Sequence, residues 1–283
     1  MINCNGVHVR EDQAVLSIDN RGYTYGDAIF ETVRINQGVL LFWEDHYFRM
    51  MSAMRIVRMQ IPMNFTQEFL EQEIKSLLEV NNLESKVVRA KIIVNRVAGG
   101  LYTPDSREID YTITVKPIDT LPFYTLNENK YEVTLFKDYY VANDLLSTLK
   151  STSKLPNILG SIFAQENGFD NCILLNTNKM ALETTNGNLF LVKGSKIKTP
   201  PLSDGCLQGV LRTQLLRILE KLPDYEIEEG SISPFELQKA DELFFTNVII
   251  GLQPITKFKK KIYTSAVSKR LLGILNAQLK LGN

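Results

Sequence analysis

Two lysines, Lys150 and Lys154, stand in the segment LKSTSKLPN, between the end of one strand-like stretch and a helix-like one that starts near Leu155. A lysine that points from a loop into a partly desolvated pocket is pushed toward the neutral amine, the nucleophile that Schiff-base chemistry needs. Residue type and loop position do not choose between the two. Glu183 lies in MALETTNGNLFLV, a polar interruption between apolar stretches. A carboxylate there either faces solvent on a loop or pairs with a cationic ring nitrogen and keeps it protonated as an electron sink. Gly209-Val210-Leu211-Arg212 opens a helix after a loop rich in Pro and Gly, and its free N–H groups suit a phosphate. His46 and Arg49, three apart, share one helix face, where a guanidinium can clamp a phosphate or form an ordinary surface salt bridge. Thr246-Asn247, at a strand end, can add hydrogen bonds to a phosphate or close a turn.

Several other chemistries lack their residues. His8 and His46 are the only histidines, which argues against a histidine-rich metal site or a serine-protease triad. Cys4, Cys172 and Cys206 lie far apart, without metal spacing or a paired framework, so no metal is expected. Gly99-Gly100 belongs to neither a Walker loop nor a dinucleotide fingerprint, and no G-x-S-x-G elbow occurs. Lys plus Arg total 32, as do Asp plus Glu, so the formal net charge is zero and nothing points to nucleic acid or an anionic membrane. The basic run Lys257, Lys259, Lys260, Lys261 reads as a solvated hairpin edge. Without a signal peptide or an apolar run of about 18 residues, a soluble cytoplasmic protein is expected.

The elements that must position these residues fall into two groups, and 283 residues suit two packed domains. Residues 1–18 read as a hairpin with Asn5-Gly6 at its tip. After a loop at Arg21–Asp27, FETVRI (Phe30–Ile35) is strand-like, and Asn36-Gln37-Gly38 turns the chain into Val39–Phe42. Glu44–Arg55 has helical spacing, with Phe48, Met51 and Met54 available to one apolar face, and Thr66 caps a second helix to about Val80. Strands over Val87–Val94 and Tyr111–Val115 follow. Lys116–Phe123 holds Pro117 and Pro122 and marks the connection, giving a small domain over 1–118, a linker over 119–124 and a larger domain over 125–283. In the larger part, strands are expected at Tyr131–Tyr140, Cys172–Leu175, Leu189–Val192, Ile197–Thr199 and Glu242–Thr246. Helices are expected at Leu155–Asn167, from Gly209, from the Ser233-Pro234-Phe235-Glu236 capping box and from Ser265. Strands followed by helices in each half imply an α/β or α+β architecture.

Taken in order, RGYTYGDAIFETVR, EDHYFRM, Lys150 with Leu155 five later, LETTNGNLF, LQGVLR and FFTNVIIGLQPI resemble the class IV (fold type IV) pyridoxal-phosphate-dependent aminotransferases and lyases, from about Ile2 to Thr256. The resemblance implies pyridoxal 5′-phosphate as cofactor, a small α/β domain beside a larger pseudo-barrel domain, and a homodimer. It implies Lys150, not Lys154, as the Schiff-base lysine, and Glu183, with Asn188 five later, beside the pyridine nitrogen. Arg49, the backbone amides of Val210 and Leu211, and Thr246-Asn247 would hold the phosphate, while Phe30, Thr32 and Arg34 would line the substrate side. This chain departs from the family at several positions. Leu211 replaces a threonine and Ser153 an asparagine. Leu155 stands where branched-chain aminotransferases carry a tyrosine, and Leu101 and Thr103 where D-amino-acid aminotransferases place an arginine and a histidine. FETVR and TNVIIGLQPIT look most like aminodeoxychorismate lyase, which makes 4-aminobenzoate for folate. An amino-acid aminotransferase of the branched-chain or D-amino-acid type is the alternative, and a non-catalytic binder of the cofactor a further one.

Overall fold

The computed structural model describes residues 1–281 and divides them into two compact units, Met1–Pro122 with Lys150–Ser153, and Phe123–Leu149 with the chain from Lys154 onward. Lys150–Ser153 thus group with the first unit although they fall within 125–283 in sequence. The reason is local: Ser151 forms an isolated antiparallel bridge with Ile29, and the Phe30 N–H donates to the Lys150 carbonyl at 2.8 Å.

The first unit opens with a hairpin of β1 (Ile2–Cys4) and β2 (Val7–Val9). Asn5 and Gly6 at its tip have φ of 52° and 85°, as a type I′ turn requires. The pairing ends at Val9, short of the hairpin expected over 1–18. Residues 21–25, expected as loop, form a short helix, α1 (Arg21–Tyr25), because Asn20 accepts from the Tyr23 N–H and Gly26 closes the other end in a left-handed conformation. Then come β3 (Ala28–Asn36), β4 (Val39–Leu40), α2 (Trp43–Ile56), α3 (Gln67–Val80), β5 (Val87–Arg96) and β6 (Ile109–Pro117). Thr66 caps α3 by accepting from the Phe69 N–H. The strands pair antiparallel in the order β2-β1-β6-β5-β3-β4.

Period-two alternation gives this sheet two unlike faces. Ile29, Val33, Ile35, Val88, Ala90, Ile92 and Ile113 are buried against α2 and α3, which supply Met50, Met54, Leu70, Ile74 and Leu77. Phe48 does not join them and is exposed. At 100° per residue it lies across the helix from the buried Trp43, His46, Met50 and Met54. The other face carries Phe30, Thr32 and Arg34 from β3, directly opposite Ile93, Lys91 and Arg89 of β5.

The second unit comprises β7 (Glu132–Leu135), α4 (Leu155–Glu166), β8 (Asn171–Leu175), β9 (Ala181–Thr184), β10 (Gly187–Lys193), β11 (Lys196–Thr199), α5 (Val210–Leu219), β12 (Glu226–Glu229), α6 (Pro234–Lys239), β13 (Glu242–Asn247), β14 (Gly251–Ile255), β15 (Lys257–Phe258), β16 (Lys261–Ile262) and α7 (Ala266–Leu281). The sheet runs β12-β11-β10-β9-β8-β7-β15-β16, with β13 pairing both β10 and β14. Its core gathers Leu135, Ile173, Leu189, Leu191, Leu237, Leu243, Phe245, Ile255 and Phe258. β7 stops at Leu135, well short of Tyr140. The expected capping box at Ser233 and Glu236 is formed in both directions, and β15 and β16 make a hairpin of the basic run. No helix among the described residues is long and apolar enough to cross a membrane.

Candidate active site

Glu31 faces the helices from the middle of β3 and is 1% exposed among aliphatic neighbours. A carboxylate in such a place must be paired. Arg49 of α2 grips it with two parallel bonds, Nε to Oε1 at 2.7 Å and a terminal nitrogen to Oε2 at 2.6 Å. His46, one turn earlier, places Nδ1 2.7 Å from Oε2. A carboxylate only accepts, so this nitrogen carries the hydrogen. Burial pushes the Glu31 carboxyl up, but the Arg49 charge and the His46 hydrogen bond outweigh it and bring it down to about 2. Burial lowers the His46 value, and the Arg49 and Lys150 charges add to that against the opposing pull of Glu31. His46 is therefore the neutral ring, and its buried Nε2 has no hydrogen-bond partner among the described residues. The two residues read from sequence as one helix face do converge, on a glutamate that sequence reasoning had not singled out.

The Lys150 ammonium lies over the Phe30 ring, 4.5 Å from its centroid. Lys91 lies over the same ring at 5.1 Å, and burial, then the Arg89 charge, hold its pKa below the usual lysine range. Lys91 was also missed from sequence, although the alternation of VVRAKIIV puts Arg89 and Lys91 on one face. Thr32 sits directly opposite Lys91. Arg34, on the same side, is only 2% exposed. It donates to the Leu121 carbonyl at 2.6 Å and to Asn36 Oδ1 at 3.1 Å. These bonds brace the chain around residue 121. Leu101 and Thr103 belong to a loop pinned by Arg21, whose guanidinium donates to the carbonyls of Gly99 at 2.9 Å and Leu101 at 2.6 Å. The loop exposes Leu101 and Tyr102.

In the second unit, Glu183, Asn188 and Thr246 form one row. Glu183 on β9 is directly opposite Asn188 on β10, which is directly opposite Thr246 on β13, so their side chains share a face. Glu183 is on a strand and 9% exposed, not on a solvated loop. Its Oε2 accepts from the Leu207 N–H at 3.0 Å, and Asn188 Nδ2 donates to the Leu207 carbonyl at 2.7 Å. The two side chains thereby fix the backbone that leads into α5. Gly209, the N-cap, allows this approach: a Cβ there would fall 1.9 Å from Asn188 Oδ1. No side chain caps α5, whose first turn includes Val210 and Leu211. The Thr246 hydroxyl is buried and has no partner among the described residues. Asn247 is committed to its turn, where Oδ1 accepts from the N–H groups of Ile249 and Ile250 and Nδ2 donates to the Asn186 carbonyl. Burial, then the Glu183 charge, push the nearby Cys206 thiol up to about 12, which rules it out as a thiolate nucleophile.

A row with a carboxylate at one end and an orphaned hydroxyl at the other, beside an uncapped helix start, fits an aromatic nitrogen base that carries a phosphate. A family model described as amino-transferase class IV matches residues 28–258. A putative branched-chain-amino-acid aminotransferase of Methanocaldococcus jannaschii is 28% identical over 280 residues, covering 99% of this chain and 93% of the relative. An aminodeoxychorismate lyase of Vibrio harveyi is 25% identical over 271 residues, covering 93% and 97%. Among solved structures, a branched-chain aminotransferase of Thermoproteus uzoniensis crystallised with norvaline superposes with a TM-score of 0.86 at 22% identity, covering 96% of this chain and 92% of that one. The fold is that of these enzymes.

The Glu31 cluster makes a pH-dependent prediction. Its folded pKa of about 2 lies below the ordinary 4.5, so its stabilisation is complete above about 4.5 and disappears as pH falls through about 2. His46, also depressed, adds a loss of the same sign below its ordinary 6.5. Glu31→Gln strips one partner from a buried pair and should cost about 3 kcal/mol or more at neutral pH. Thermal melts of both proteins from pH 7 to pH 2 should show the gap closing as acid is added. A gap that stays constant would remove Glu31 as the titrating group.

Proposed function

Because the chain belongs to the class IV aminotransferase family, whose enzymes depend on pyridoxal 5′-phosphate, we propose that it is a cytoplasmic 4-amino-4-deoxychorismate lyase that releases 4-aminobenzoate and pyruvate. The observation that carries the reading is the pair of ammonium groups over the Phe30 ring. One amine suffices for the family's chemistry, and Lys150 has the matching position. The second, Lys91, is half-buried against the same ring, where it suits a substrate whose ring carries a carboxylate better than a small aliphatic amino acid. The Leu101 loop, pinned by its own carbonyls, offers no cation at the two positions where D-amino-acid aminotransferases hold a substrate carboxylate.

The residues divide the work as follows. Lys150 is the amine that would hold the cofactor's carbonyl carbon, Glu183 the carboxylate for its ring nitrogen, with Asn188 beside it. The Val210 and Leu211 amides, the Thr246 hydroxyl and Arg49, oriented by Glu31, would meet its phosphate, with Asn247 shaping the turn next to them. When bound, the cofactor supplies an electron sink for a carbanion on the substrate carbon that bears the amine. A carboxylate at Glu183 keeps positive charge on the ring nitrogen, which an amide would not do. Lys150, once its nitrogen is free, removes the proton from that substrate carbon. Phe30 and Thr32 line the substrate side, and Lys91 receives a substrate carboxylate. The ether oxygen on the ring then departs with the enolpyruvyl group, and the ring becomes aromatic.

The exposed side of α4 supports a homodimer. Leu155, Ile158, Leu159 and Ile162 recur at i, i+3, i+4 and i+7, all exposed, while Gly160 and Ala164 face β8. Sedimentation equilibrium should give twice the chain mass for the wild type and the chain mass for Ile158→Glu/Ile162→Glu. A wild type at the chain mass would end this part of the reading.

Purified protein given 4-amino-4-deoxychorismate without a keto-acid acceptor should form 4-aminobenzoate and pyruvate in equal amounts. Rapid amino transfer from branched-chain or D-amino acids to 2-oxoglutarate, with no pyruvate released, would replace the lyase reading with the aminotransferase one. Lys91→Gln should raise KM for the substrate about tenfold, the loss of about 1.5 kcal/mol expected for a charged hydrogen bond, with kcat changed far less. Glu183→Gln should instead keep the cofactor, visible in its absorbance, and lose most of kcat.

A further inference from the structure

We propose that the second unit carries a separate binding site for a small amphipathic organic anion, an apolar ring or short chain bearing two negative groups. The site is a cavity of about 320 Å³ whose floor is Leu135, Leu175 and Pro234 and whose rim is Lys137, Lys179 and Lys259, with Phe235 at the edge. None of the residues attributed above to the reaction lines it. Its volume lies at the small end of the range for small-molecule pockets, enough for one bicyclic ring system and its substituents.

Charge is the first argument for an anion. No carboxylate lines the cavity. None of its three lysines forms an ion pair among the described residues, although elsewhere in the unit lysines do so readily: Lys196 with Glu228, Lys198 with Glu236, and Lys193 with Asp241. Three unpaired ammonium groups on one rim repel one another, and an anion between them relieves that repulsion. The apolar floor and Phe235, 76% exposed, call for an apolar body on the same molecule.

Backbone conformation is the second argument. Lys179 and Lys259 both have left-handed φ, 60° and 54°, where Gly or Asn is the usual occupant. Each turn is held in place independently. Asn176 Oδ1 accepts from the Asn178 and Met180 N–H groups around Lys179, and the pairing of Phe258 with Lys261 closes the tight turn at Lys259. The two stems therefore leave fixed points on different turns and reach the same cavity.

Calorimetric titration of the cofactor-loaded enzyme with naphthalene-1,5-disulfonate tests the proposal. One saturable site per chain is expected, weakened by added salt. Lys179→Gln/Lys259→Gln should lower the affinity about tenfold, the sum expected for two exposed charge contacts, and Phe235→Ala should lower it independently. Turnover and melting temperature should stay as in the wild type, which separates lost binding from lost fold. Three results would overturn the proposal: no saturable binding, equal affinity in the double lysine variant, or inorganic sulfate binding as tightly as the disulfonate.

Discussion

A buried carboxylate organises the first unit. Glu31 occupies a position that strand alternation assigns to the apolar face, between Ile29 and Val33, where an unpaired charge would not be tolerated. Its bidentate bond to Arg49 and its bond to His46 make the location tenable, and all three bonds run to a single turn of α2. They fix the rotation of that helix and its slide along β3 more sharply than methionine packing does, since Met side chains adapt to many positions. Because successive residues of a strand point to opposite faces, fixing Glu31 inward also fixes Phe30 and Thr32 outward. The Phe30 ring that Lys150 and Lys91 approach is thus held in place by the charge cluster at the next residue of β3.

The second unit obtains its precision differently. Glu183, Asn188 and Thr246 come from three strands and are aligned by ladder register alone. A one-residue slip of β10 against either neighbour would turn Asn188 away and break the row. Leu207 holds a matching clamp, its N–H on Glu183 and its carbonyl on Asn188, which joins the row to the start of α5. Gly209 is needed there because any larger residue would drive the loop off Asn188.

These two modes of construction explain what the sequence disclosed. Local signals were legible: the Thr66 and Ser233 caps, the Asn5-Gly6 turn and the start of α5 each depend on residues a few positions apart. Long-range pairings were not. β9 reads as a polar interruption because Glu183 and Thr184 are polar, and only neighbours on both sides reveal it as a buried strand. Glu31 was hidden inside an apolar-looking strand, since its partners lie 15 and 18 residues further on. Lys91 was hidden because a lysine in a strand ordinarily faces water, and only the β3–β5 register brings it to the Phe30 ring. Arg34 was legible by motif alone. Its motif position is right for the family, but its bonds to the chain at residue 121 depend on where that distant segment returns.

The lysine pair also bears on the choice between elimination and amino transfer. In the proposed scheme both reactions would share the removal of a proton by Lys150 and differ in what happens to the electrons afterwards. A site for small aliphatic amino acids gains most from an apolar wall, and a second ammonium half-buried against that wall is a desolvation cost without return. For a substrate whose ring carries its own carboxylate, the same ammonium has a partner, and the cost becomes binding energy. In the proposed lyase, a ring held by Lys91 over Phe30 would keep a fixed orientation toward Lys150, so that contact would set both the proton removed and the group expelled. Aromatisation would then favour expulsion over return of the proton, and a cation that is a burden to one chemistry would become the orienting contact of the other.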